Sequence, residues 1–167
     1  KRQHIGSVAA LRERSGARVV AHQADAPLVD GREDRQLGPL PLAGAFQHVV
    51  NWGIRRLIRY VPAPVDQPVE DGDDLGGWRV VHSPGHTAGS VCFYHRSRGI
   101  AIVGDALNHR RGRLGAPPPM FTPDMDQAYA SIHRIASLDF EVCCFGHGAP
   151  LMEKGQERVQ VFADSLP

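Results

Sequence analysis

Three stretches of the chain share one layout: a short apolar run, then glycine, then a side chain able to hold a divalent ion. They are Val80-Val81-His82-Ser83-Pro84-Gly85-His86-Thr87, Ile100-Ala101-Ile102-Val103-Gly104-Asp105 and Val142-Cys143-Cys144-Phe145-Gly146-His147-Gly148. The apolar run reads as a buried strand, and glycine at its end lets the backbone turn sharply and aim the neighbouring side chain into a cleft. Imidazole and carboxylate are ligands that zinc, iron and manganese accept. A lone histidine in a strand-end loop has an ordinary surface role; three such ends in one chain point to a shared metal site. A divalent cation lowers the pKa of a bound water from about 15.7 toward about 7 and polarises the carbonyl under attack. Asp105 is then expected to orient that water as well as to ligate.

Other side chains are candidates for supporting roles. Ser83, Thr87 and Ser90 flank His86 and are expected to fix ring tautomers. Arg110, Arg111 and Arg113 follow Asp105 and form either an anion-recognising edge or a solvated loop, while Met120 and Phe121 suit an apolar wall or the core. His22 and His82 end strands, and a structural role is expected of both. His48, His95, His109 and His133 have no partner motif.

The elements that position these groups follow from periodicity and punctuation. Residues 5–14 read as a helix with Val8, Leu11 and Ala9 or Ala10 as its apolar stripe, stopped by Gly16. Residues 17–21 read as a strand, 25–41 as mostly loop, and 44–60 as an amphipathic helix ended by Pro62 and Pro64. Short strands are expected at 65–69, 78–82, 90–95, 100–103 and 141–145, with a hairpin turn over 96–99. Residues 108–122, rich in Arg, Gly and Pro, read as a long functional loop. Thr122-Pro123-Asp124 starts a helix that runs to about Ser137, with Thr122 as the capping hydroxyl, and 159–162 begins a terminal helix. The alternation predicts a mixed α/β domain.

Pro84-Gly85-His86-Thr87-Ala88-Gly89-Ser90, Gly104-Asp105-Ala106 and Phe145-Gly146-His147-Gly148 resemble, in order and approximate spacing, the motifs of the metallo-β-lactamase superfamily. The texture is most similar to its branch of glyoxalase II-like thioester hydrolases and lactonases. The resemblance implies an αβ/βα sandwich over residues 1–167, with His86, Asp105 and His147 at metal-ligand positions and Asp105 bridging two ions. The family also carries H-x-H-x-D-H before its first long helix. His4 matches the last histidine of that motif, whereas Lys1 falls at its second histidine and Gln3 at its aspartate. The chain is therefore expected to lack its N-terminal strands and part of this motif. One ion would keep His86 and Asp105, the other His4, Asp105 and His147. Two functions follow: a zinc-dependent hydrolase of an ester, thioester or lactone carbonyl (iron or manganese replacing zinc), or a catalytically silent member with a degraded site, acting in binding or assembly.

Composition narrows the partners. The formal charge of +1 offers no broad field for nucleic acid or an anionic membrane, and no apolar run approaches about 20 residues. The start shows no apolar signal segment. Three cysteines without a C-x-x-C read as small buried hydrophobes of a reducing compartment, so a cytoplasmic location is expected. A small-molecule substrate is the expected partner, and an open sheet edge would invite a homo-oligomer.

Overall fold

The computed structural model describes residues 6–33 and 61–167. The helix expected over 44–60 and His4 lie outside the described residues. In chain order the elements are α1 (Val8–Ser15), β1 (Val20–His22), α2 (Ala26–Val29), β2 (Gln67–Val69), β3 (Arg79–His82), β4 (Val91–His95) and β5 (Ile100–Gly104). They continue with β6 (Asn108–Arg110), β7 (Arg113–Gly115), α3 (Met125–Ala136), β8 (Val142–Phe145) and α4 (Gly155–Ala163).

The main sheet has the order β3-β4-β5-β8. Strands β3/β4 and β4/β5 pair antiparallel, and β5/β8 pair parallel. Register sets Val81 opposite Cys92, Tyr94 opposite Ala101 and Ala101 opposite Cys143. Side chains alternate across a strand, so these five share one face, and all are buried. Against that face lie Ile132, Ile135 and Ala136 of α3 and Val159 and Ala163 of α4. The spacings along α3 (Ala128, Ser131, Ile132, Ile135) and α4 (Gly155, Val159, Ala163) keep each apolar stripe on one side. The Tyr94 hydroxyl, at the end of its apolar body, donates to the Asp139 carbonyl at 2.7 Å. A smaller cluster of Val19, Val29 and Ala63 packs beside the parallel pair β1-β2.

Cys92 and Cys143 are buried, unoxidised thiols, as expected of small hydrophobes; Cys144 is half-buried. Burial pushes the Cys92 thiol up to about 12 and raises Cys143 as well, so neither is a thiolate near neutral pH.

Within residues 25–41, expected to be mostly loop, 26–29 form a helical turn in which the Asp25 carbonyl accepts the N–H groups of Leu28 and Val29. Three expectations need correction. The segment 108–122 is not an open loop: it folds as the β6-β7 hairpin followed by a 3₁₀ turn at Pro119–Phe121. Asp124, not Thr122, caps α3, its side chain accepting the Gln127 N–H at 2.9 Å. Finally, Leu11 of α1 points outward, whereas Val8 and Ala9 pack on the smaller cluster.

Candidate metal centre

Because β4 lies antiparallel between β3 and β5, and β8 runs parallel to β5, the C-terminal ends of β3, β5 and β8 meet at one sheet edge. His86, Asp105 and His147 follow those three ends. This topology converts residues far apart in the chain into neighbours. His86 Nε2 stands 3.4 Å from Asp105 Oδ2, and His147 Nε2 stands 3.4 Å from Asp105 Oδ1. The carboxylate thus lies between two imidazoles, one oxygen toward each.

Glycines make the approach feasible. The Gly146 N–H donates to the Gly104 carbonyl at 2.7 Å, and a Cβ on Gly146 would sit 2.5 Å from Asp105 Oδ1. Any side chain there would displace the carboxylate. Gly148 adopts φ 102° and packs against the His109 carbonyl so closely that a Cβ would overlap it. His109 in turn holds the loop carrying His147: its N–H donates to the His147 carbonyl at 3.0 Å, and its Nδ1 donates to the Ala149 carbonyl at 2.7 Å.

The loop carrying His86 is fastened from several sides. Thr87 Oγ1 donates to Asp25 Oδ2 at 2.5 Å and the Gly89 N–H donates to Asp25 Oδ1 at 2.8 Å. Ser90 Oγ accepts the Thr87 N–H at 3.0 Å, and Ser131 Oγ donates to the Pro84 carbonyl at 2.7 Å. His82 Nε2 donates to the Ala88 carbonyl at 2.8 Å and its ring stacks on His22 at 4.1 Å, 6° from parallel. Burial, reinforced by the neighbouring His82, lowers the His22 pKa. The stacked pair thus links the His86 loop to β1.

Thr122 carries information the sequence concealed. Its hydroxyl hydrogen goes to the Pro118 carbonyl at 2.9 Å. Its oxygen, 3.2 Å from His86 Nδ1, can therefore only accept, so His86 carries its proton on Nδ1. In a neutral His86 the lone pair of Nε2 then faces a carboxylate oxygen: two acceptors 3.4 Å apart, with His86 only 8% exposed. Such an arrangement calls for a cation between them. Ligand atoms about 2.0–2.2 Å from a tetrahedral ion stand about 3.3–3.6 Å apart, and both His–Asp separations fall in that range. The donor set fits a metal. Among the described residues no three side chains form a complete cage, because each Asp105 oxygen faces a different ring and each half holds two donors.

Of the expected supports, Ser83 instead accepts from the Cys92 thiol, and Thr87 and Ser90 act on the loop backbone and Asp25 rather than on a ring. Asp25, His109 and Thr122 were missed. The first two lie far in sequence from the motifs they hold; for Thr122 the capping pattern suggested another use. The three central residues open on a cleft also lined by Asn108, Arg110, Pro117, Pro118 and Phe121. Phe121 thus forms a wall, while Met120 is exposed.

The chain belongs to the metallo-beta-lactamase superfamily, whose model matches residues 4–147. Over 165 residues the chain is 28% identical to the "Probable metallo-hydrolase YflN" of Bacillus subtilis (strain 168), covering 90% of this chain and 62% of that protein. It is 32% identical over 148 residues to a hydroxyacylglutathione hydrolase of Cereibacter sphaeroides (strain ATCC 17025 / ATH 2.4.3), covering 86% of this chain and 44% of the relative. The chain thus spans less than two thirds of either protein. Among solved structures, TTHA1623 in a di-iron-bound form aligns with TM-score 0.64 at 30% identity, covering 98% of this chain and 71% of that one. Among the described residues no helix is long and apolar enough to cross a membrane.

Proposed function

We propose that this chain is a metal-dependent hydrolase of an ester, thioester or lactone carbonyl, with zinc at a centre built from His86, Asp105 and His147. The observation that carries the reading is the Nε2 lone pair of His86 held against the Asp105 carboxylate by the Thr122–Pro118 relay. The family and its hydrolase relatives support it. Bound metal would supply an activated water and polarise the substrate carbonyl. Each Asp105 oxygen faces one ring, so Asp105 would hold metal together with His86 and His147 and would orient the attacking water. His86 and His147 hold their Nε2 atoms toward it. Pro117, Pro118 and Phe121 give the acyl chain an apolar wall, and the open cleft admits water. His4, outside the described residues, is proposed as a further ligand; the substrate is a small molecule.

The competing reading, a silent member with a degraded site, is supported by Lys1 and Gln3 at motif positions that need His and Asp. Metal content separates the two. Protein purified without chelator should carry zinc, iron or manganese, and less than about a tenth of an equivalent would reject the enzyme reading. The His147→Ala variant should lose both metal and turnover; retained turnover would reject the site assignment.

A further inference from the structure

We propose that the cleft selects acyl substrates that bear a carboxylate, and that Arg110 is the residue that binds it. The proposal rests on the hydrolase reading above and narrows its substrate class. Strand β6 presents its side chains alternately: His109 faces the loop of His147, while Asn108 and Arg110 line the cleft beside His86, Asp105 and His147. Asn108 Nδ2 donates to the carbonyls of Gly115 and Ala116, at 3.0 and 2.8 Å, which fixes the base of the hairpin. The turn is a tight two-residue one, Arg111 at φ 53° and Gly112 at φ 75°, and it sets Arg110 directly opposite Arg113.

Three guanidinium groups therefore crowd one small hairpin, and like charges directly opposite destabilise a pair of strands. Among the described residues no carboxylate forms an ion pair with any of the three. Of the three, Arg110 alone lines the cleft. A guanidinium stays charged at every physiological pH, and its planar fork matches a carboxylate through two parallel hydrogen bonds. Pro117, Pro118 and Phe121 provide the surface for the carbon skeleton between the scissile carbonyl and that distal carboxylate.

The test compares two esters on zinc-loaded protein: p-nitrophenyl acetate, which is neutral, and p-nitrophenyl monosuccinate, which adds a distal carboxylate. Wild type should show kcat/KM about tenfold or more higher for the succinate, mostly through KM, as expected of a charge-assisted pair. Arg110→Gln should abolish that preference, its kcat/KM falling about tenfold further on the succinate than on the acetate, and Arg111→Gln should preserve it. Absence of the preference in wild type, or an equal fall on both esters in the Arg110 variant, would overturn the proposal. If wild type hydrolyses neither ester, the hydrolase reading fails. Calorimetric titration of succinate into both zinc-loaded proteins then decides the Arg110 assignment: about tenfold weaker binding to the variant upholds it, and equal binding refutes it.

Discussion

Replacing Thr122 by Val tests the central deduction, that a hydroxyl relay fixes the proton of His86 and turns its Nε2 toward Asp105, where metal binding is proposed. Val has nearly the shape of Thr and fills the fully buried position, so packing changes little. Two bonds disappear: the Nδ1–H of His86 loses its acceptor and the Pro118 carbonyl loses its donor. An orphaned buried donor costs about 1–3 kcal/mol. Because the Nδ1–H tautomer is no longer favoured, part of the ring population turns a proton toward Asp105 and excludes a cation. Loss of a bond that orients a metal-bound histidine lowers affinity by about 10–100-fold, or about 1.4–2.7 kcal/mol. Zinc competition against a chromophoric chelator measures that quantity directly, and urea unfolding of the zinc-free protein measures stability in parallel. Thr122→Ser supplies the contrast. It keeps the hydroxyl and loses a methyl group, so stability should fall by about 1 kcal/mol while zinc affinity stays within about twofold of wild type. Equal zinc affinity in the Val variant, or equal losses in Val and Ser, would refute the relay.

Two further outcomes follow from the loop supports. Asp25→Ala removes the acceptor of Thr87 Oγ1 and of the Gly89 N–H. Two charge-assisted bonds at a half-buried position are worth together about 2–3 kcal/mol, a fall in melting temperature of about 5–10 °C, and zinc binding should weaken with it; an unchanged melting temperature would remove Asp25 from the frame. For His22, burial holds the folded-state pKa below the unfolded value of about 6.5, so the folded protein binds fewer protons. That contribution is fully present above about pH 6.5 and is lost as pH falls through the unfolded value toward the folded one. Urea midpoints at pH 7.5 and 5.5 should therefore fall further for wild type than for His22→Gln, and equal falls would contradict the assignment.

The sequence made the centre legible because its signals are local. Each of His86, Asp105 and His147 sits beside a glycine at the end of an apolar run, and strand-end chemistry needs no long-range information to be recognised. The strands of the main sheet and α3 were legible for the same reason: their apolar period reflects the face they bury. What could not be read is what depends on partners distant in the chain. Asp25 is 62 residues from Thr87, and Thr122 is 36 from His86. Thr122 also misled, since a hydroxyl before Pro123-Asp124 satisfies the helix-start pattern. The actual outcome was decided by tertiary demand: the ring of His86 needed an acceptor, and Asp124 was available to cap. The β6-β7 hairpin was hidden because Asn-His-Arg and Arg-Leu-Gly show no apolar alternation. Its strands are fixed by the Arg111-Gly112 turn and by the Asn108 side chain.

That hairpin also joins two properties that are usually separate. One face of β6, through His109, sets the position of the loop that carries His147; the other, through Arg110, lines the cleft. Because side chains alternate with a period of two, neither face can shift without the other, and a one-residue slip would exchange them. The register is therefore held at both ends, by the left-handed pair Arg111-Gly112 at the tip and by Asn108 bonding Gly115 and Ala116 at the base. A strand of three residues has too little ladder of its own to fix its register. It follows that the polar side chain of Asn108 and the unfavourable φ of Arg111 are there to keep the His147 loop and the cleft-lining guanidinium in fixed relation. On the proposal that Arg110 binds substrate, a change at position 110 would alter preference alone, while a change at position 109 would act on the loop that carries His147.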